Sequence, residues 1–106
     1  METVYSRAFS TELQILGARY ETNIPINVFY KGVEVGFFRA DHIVEQRVLV
    51  ELKAADALVK EHEQQILNYL KATNMEVGLL LNFGPRPTFK RFVLTNERKK
   101  ALAVSA

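Results

Sequence analysis

The chain is predicted to fold as one α/β domain, a sandwich of helices around a mixed β-sheet. Three observations predict it. Residues 23–53 hold three β-rich segments separated only by short turn signals, the pattern of an antiparallel meander. Helical stripes of apolar residues stand on both sides of that meander. A nearly continuous apolar run, Val77 to Phe83, follows the second helix, as expected for a strand covered on both faces and lying parallel to a neighbour. A chain of 106 residues has room for one such core.

Glu2 to Leu16 is predicted to be the first helix. Tyr5, Phe9, Leu13 and Leu16 form one apolar stripe, and Gly17 is a plausible stop. Glu2 lies three residues before Tyr5, at the end of that stripe, so its carboxylate is expected along the buried side. A first-turn acid favoured by the helix dipole is the plainer account of it. Asn23 to Tyr30 is a strand with Ile24, Ile26, Val28 and Tyr30 on one face, and Pro25 places it at a sheet edge or a strand start. Lys31-Gly32 makes a tight turn. Val33 to Val44 returns as the second strand and Val48 to Lys53 as the third. In the second strand Phe37, Arg39, Asp41 and Ile43 are expected on one face, and Phe38, Ala40, His42 and Val44 on the other.

Ala57 to Thr73 is the second helix, with Val59, Ile66, Leu70 and Thr73 as its core stripe, Leu67 widening it and Asn74 as its cap. Gln65 and Tyr69 are four apart on one flank of that stripe. After the strand Val77–Phe83, which completes a crossover unit, Gly84 to Pro87 is a loop and Phe89 to Leu94 a last short strand. The tail from about residue 97 is expected to be a short helix or frayed, and peripheral to the domain.

Composition narrows the function. Hydrophobic residues at 48% and charged residues at 25% are ordinary for a soluble globular chain. Without cysteine there is no disulfide, zinc-thiolate site or thiol nucleophile. That is compatible with an intracellular, cytoplasmic location, and METVYSRAFS lacks the apolar segment of a secretory signal. The longest apolar run is too short to span a bilayer, so no membrane is expected. A net charge of +2 permits a polyanionic partner but does not by itself argue for one.

The chemistry concentrates in Arg39 to Ala54 (RADHIVEQRVLVELKA). Glu51 and Lys53 leave the same face of an apolar strand, where ionised groups are costly unless paired. If Val44 lies opposite Val48, then Asp41 lies opposite Glu51; a turn one residue shorter would place Asp41 opposite Val50. Like charges facing one another are destabilising unless a cation sits between them. Ion pairs of Asp41 with Arg39 and of Glu51 with Lys53 are the structural alternative. In the metal reading, Asp41, Glu51 and the backbone carbonyl of Leu52 supply oxygen ligands to Mg2+, with Glu2 binding directly or through water. Lys53 orients or deprotonates the attacking water or offsets transition-state charge, and Gln65 and Tyr69 hold the phosphate or the water. The same pair four apart is also common as a simple surface contact. His42 is expected to pack with Phe38 and Val44 and not to bind metal, His62 to be solvated, and Lys90, Arg91, Arg98, Lys99 and Lys100 to form a solvated basic end.

Asp41, nine residues, then Glu51-Leu52-Lys53 resembles the PD-(D/E)xK nuclease signature, and Gln65-x-x-x-Tyr69 is similar to the Q-x-x-x-Y motif of its exonuclease-like members. More closely, the chain resembles the small bacterial GxxExxY proteins of that superfamily. Glu2-Thr3-Val4-Tyr5 matches their ExxY, and RADHIVE, VLVELKA, HEQQILNYLKAT and VGLLLNFG match further blocks in order, from Glu2 to about Leu94. The family's glycine would stand three residues before Glu2, ahead of Met1, so a late start or a missing first turn is expected. Ala40 replaces the proline of the first motif. The resemblance implies a restriction-endonuclease-like sandwich with an α-β-β-β-α-β core and Mg2+- or Mn2+-dependent cleavage of nucleic-acid phosphodiesters. It implies Asp41, Glu51 and Lys53 as the metal-and-lysine core, Glu2 as the helical acid, and Gln65 and Tyr69 as the auxiliary pair. The implied partner is nucleic acid, DNA before RNA. A homodimer is one way for so small a chain to grip a duplex. The alternative is a binding or assembly module that keeps the fold without turnover.

Overall fold

The structure is a computed structural model that describes residues 1–105, with side chains described through Ala101. The element order is α1 (Glu2–Leu16), β1 (Tyr20–Tyr30), β2 (Val33–Val44), β3 (Val48–Lys53), α2 (Lys60–Ala72), β4 (Val77–Phe83), β5 (Pro87–Val93) and α3 (Asn96–Ser105). The five strands form one mixed sheet in the order β1-β2-β3-β4-β5, with β3 and β4 parallel and the other pairs antiparallel. This is the predicted sandwich. The tail is a helix, and only its last residue, Ala106, lies outside the described residues. No helix among the described residues is long and apolar enough to cross a membrane.

The two main helices cover opposite faces. Alternation along β4 sends Gly78, Leu80 and Asn82 one way, all buried, and Val77, Leu79, Leu81 and Phe83 the other, only half-buried. The run therefore has one fully covered face, not the two expected. On the fully covered side, α2 brings Ile66, Tyr69 and Leu70 against Leu49, Leu80, Ala40 and Ile26 to form the main core. A Cβ on Gly78 would come within 2.9 Å of Ile66, so glycine permits this close approach. On the other side lies α1, with Tyr5 stacked on Phe83 at 4.5 Å between ring centroids and Phe9 edge-on to His42 at 4.9 Å.

The helix ends follow local chemistry. α1 stops at Gly17, whose φ of 73° is left-handed. Its N–H donates to Gln14 O and that of Ala18 to Leu13 O, completing a C-terminal cap. The predicted stripe ends at Leu13, because Leu16 is 77% exposed past the sheet edge. α2 begins three residues later than predicted. Val59 is an exposed N-cap and not a core residue, and His62 is not a free surface group: its Nδ1 accepts the Val59 N–H at 3.2 Å. The helix ends at Ala72, and its C-cap is Thr73 rather than Asn74. Lys99, instead of lying in a solvated basic end, reaches from α3 to donate to the Thr73 and Met75 carbonyls. Lys90 likewise pairs with Glu63 at 3.0 Å.

Candidate metal and phosphodiester site

The β2–β3 turn sets the register. Glu45 and Gln46 both have left-handed φ, 54° and 55°, and the Arg47 N–H donates to Val44 O at 3.0 Å. A two-residue loop of this kind would pair Val44 with Arg47. Arg47 is instead an extra residue, and Val44 pairs with Val48, Ile43 with Leu49 and His42 with Val50. The turn is tied to the end of α1 by Glu45 N–H to Arg19 O (2.8 Å) and Arg19 N–H to Glu45 Oε1 (2.9 Å). This is the register that brings Asp41 opposite Glu51.

Past His42–Val50 the regular ladder stops, and side chains take over from backbone. The Leu52 N–H donates to Asp41 Oδ2 at 2.9 Å, and the Asp41 N–H donates to Glu51 Oε1 at 3.3 Å. Each carboxylate thus reaches across the gap to the backbone of the facing strand. The two carboxyl groups lie side by side, each bonded to a backbone N–H next to the other. Glu51 is 3% exposed. Burial first, and then the adjacent Asp41 charge, push its carboxyl up to about 9, with Lys53 acting weakly in the opposite direction. At neutral pH without a cation, the pair holds a proton.

Asp41 occupies this gap because β2 changes face there. Phe38 and Ala40 pack in the α2-side core, and so does Ile43, whereas His42 lies under α1. Strict alternation would have kept Ala40 with His42, so the predicted grouping of Phe37, Arg39, Asp41 and Ile43 breaks at Asp41. Across the pair, Asn23 has a left-handed φ of 52°, and the β1–β2 ladder passes from Thr22–His42 to Ile24–Ala40 without pairing Asn23 with Asp41. His42 therefore does not pack with Phe38. It is fully buried, its Nε2 lies 2.8 Å from Ser10 Oγ, its Nδ1 has no hydrogen-bond partner, and burial lowers its pKa.

The ion-pair alternative does not form. Among the described residues the single salt bridge is Lys90–Glu63. The Arg39 guanidinium donates to Asn23 O at 3.2 Å instead of pairing with Asp41. Lys53 is half-buried on the Glu51 face and pairs in register with Asn82 of β4. Asn82 is a residue the sequence reading missed. It is 3% exposed, with Oδ1 accepting the Ala55 N–H at 2.9 Å and Nδ2 donating to Ala55 O at 3.0 Å. It clamps the chain two residues past Lys53. Gly84 closes the same clamp, since a Cβ there would sit 2.0 Å from Ala55 O. A lone polar residue inside an apolar run, VGLLLNF, was the available signal.

Gln65 and Tyr69 are not a surface pair. Tyr69 is 1% exposed; its hydroxyl accepts from Gln65 Nε2 at 3.0 Å and donates to Arg39 O at 3.4 Å, two residues before Asp41. Burial and then the Glu51 charge push the Tyr69 hydroxyl up to about 12, so it stays protonated. On the α1 side, a cleft of about 710 Å3 is lined by Glu2, Ser6, Arg7, Asn23, Asp41 and Leu52, among others. Glu2 thus shares a cleft with Asp41 but is exposed. Among the described residues, no three or more His, Cys, Asp or Glu side chains form a group that could hold a metal ion. The acids that meet are two, Asp41 and Glu51. With a backbone carbonyl they form a hard, all-oxygen donor set that suits Mg2+ or Mn2+, which keep several waters.

Two solved structures share this fold. The crystal structure of SSO0001 superposes with a TM-score of 0.70 at 19% identity, covering 97% of this chain and 55% of that one. An alkaline exonuclease, LHK-Exo, from Laribacter hongkongensis superposes with a TM-score of 0.53 at 15% identity, covering 97% of this chain and 59% of that one. The chain thus spans little more than half the length of either. No curated protein matches it in sequence. The sequence profile of the PD-(D/E)XK nuclease superfamily matches residues 1–92, carrying both facing carboxylates and the lysine beside them, and the chain belongs to that superfamily.

Proposed function

We propose that the protein is a divalent-metal-dependent nuclease that hydrolyses phosphodiester bonds of nucleic acid at the gap between β2 and β3. The observation that carries this reading is the facing of Asp41 and Glu51, two carboxylates brought side by side with no salt bridge to either among the described residues. Holding two like charges together opposes folding unless a cation or proton intervenes. The superfamily supports the same reaction class, and the alkaline exonuclease supports it at the level of fold.

Asp41, Glu51 and the Leu52 carbonyl would hold the ion. When bound, a divalent cation polarises the phosphoryl oxygens and lowers the pKa of a coordinated water. The chain's residues do the remainder. Glu51 would hold the ion in its ionised form, having given up the proton it keeps in the metal-free protein. Lys53, on the Glu51 face of β3 and two residues before the Asn82–Ala55 clamp, would orient water or offset charge developing on the phosphate. Tyr69 and Gln65 act as positioning residues, because the Tyr69 hydroxyl fixes the β2 backbone at Arg39. Glu2, from the first turn of α1, borders the cleft and contributes through water.

Cleavage of single- and double-stranded DNA and RNA with Mg2+ or Mn2+ tests the reading, beside Asp41→Asn and Lys53→Ala. Metal-dependent cleavage abolished by both substitutions is the expected result. No cleavage by the wild type, or equal cleavage by all three proteins, overturns it.

A further inference from the structure

We propose that Phe37 and Arg39, on the solvent face of β2, form a landing step for single-stranded nucleic acid at the mouth of the Asp41 cleft. The proposal rests on the nuclease reading and names its substrate class. Phe37 and Arg39 are two apart on one strand and leave the same face. The guanidinium carbon of Arg39 lies over the Phe37 ring, 5.7 Å from its centroid, and Phe37 as a residue remains 54% exposed. Arg39 is further steered by its bond to Asn23 O, and Asn23 lines the cleft with Asp41, Arg7 and Ser6. An aromatic face, a cation above it and a polar cleft lined by Asp41 therefore follow one another along the sheet.

An exposed aromatic ring with a cation over it is a stacking platform for a base whose face is free. In a duplex, base faces are covered by their neighbours. A duplex would have to be held through its phosphates alone, for which a net charge of +2 offers little. A single strand gains from both groups, the base on the ring and the phosphate on Arg39 and Arg7. The Ser6 hydroxyl in the same cleft is a further phosphate donor.

The test is fluorescence anisotropy in EDTA, so that binding is read apart from cleavage. The probes are fluorescein-labelled oligo(dT), oligo(rU) and a DNA duplex of equal length. The proteins are wild type, Phe37→Ala, Phe37→Trp and Arg39→Gln, each checked for folding by circular dichroism. At least one single strand is expected to bind more tightly than the duplex, and the two single-strand arms separate DNA from RNA. Phe37→Ala should weaken that binding roughly five- to 150-fold, the loss of one base stack, while Phe37→Trp retains it. Arg39→Gln should lower the slope of log affinity on log salt by about 0.7. If Phe37→Ala does not fold, the Arg39→Gln slope decides alone. Duplex bound as tightly as single strands, no binding by the wild type, or binding untouched by the substitutions overturns the proposal. So does a dimer lost in Phe37→Ala, which would make this face a contact between copies. Single-strand binding without cleavage in Mg2+ would instead overturn only the nuclease reading.

Discussion

Replacing Glu51 by Gln should stabilise the metal-free protein at neutral pH while abolishing its activity. Glu51 is 3% exposed, touches Asp41 and has its carboxyl raised from 4.5 to about 9. A raised acid binds a proton more tightly in the folded than in the unfolded chain. Its contribution is therefore fully present below about pH 4.5 and is lost as pH rises toward 9. Each pH unit in that window costs about 1.4 kcal/mol, so at pH 7 the wild type has lost about 3 kcal/mol, a large part of the 5–15 kcal/mol typical of a domain. Glutamine imitates the protonated acid: its carbonyl can still accept the Asp41 N–H and its amide can donate to the Asp41 carboxylate. Urea unfolding followed by circular dichroism in EDTA at pH 5, 7 and 9 reads the difference. The two proteins should agree near pH 5 and diverge by about 3 kcal/mol at pH 7, with Glu51→Gln the more stable. Parallel curves from pH 5 to pH 9 would refute the coupling of the two carboxyls. Saturating Mg2+ should restore stability to the wild type and not to Glu51→Gln.

Two further substitutions test how the site is held. Asn82→Ala leaves both polar groups of the Ala55 peptide without their side-chain partner and should cost about 1–3 kcal/mol in urea unfolding, with a larger fractional fall in cleavage rate than Asp56→Ala, an exposed control. Deleting Arg47 leaves the two-residue loop Glu45-Gln46, which pairs Val44 with Val48 as before and keeps Asp41 opposite Glu51. Metal-dependent cleavage should therefore persist in the deletion; its loss, with the fold intact by circular dichroism, would show that the bulged Arg47 and not the Val44–Val48 register holds the site.

Much of the frame was legible because local chemistry and packing agree. α1, β2, β3 and β4 fall at their predicted bounds, each set off by turn residues or a glycine cap. The facing of Asp41 and Glu51 was legible as a condition on one turn, and Arg47 meets that condition. What the sequence hid was non-local. The face change at Asp41 depends on the left-handed Asn23 across the pair, which strict alternation does not anticipate. Tyr69 reads as a flank residue on a helical wheel, but the β1–β2 hairpin folds over it and Phe38 meets its ring at 4.8 Å between centroids. Asn82 sits in an apolar strand with nothing nearby in sequence to indicate that its partner is the peptide 27 residues earlier. Val59 and Leu16 have the spacing of core residues but stand at element ends where the sheet no longer covers them.

The central claim is that Asp41 and Glu51 together form one divalent-cation site. Titrating the protein with Mn2+ at pH 7, followed by calorimetry or by the loss of the free-ion electron paramagnetic signal, tests it without reference to any substrate. One ion per chain is predicted, with proton release as Glu51 ionises, and binding should be lost in both Asp41→Asn and Glu51→Gln. Binding that survives either substitution, or a wild type that takes up no ion, would contradict it.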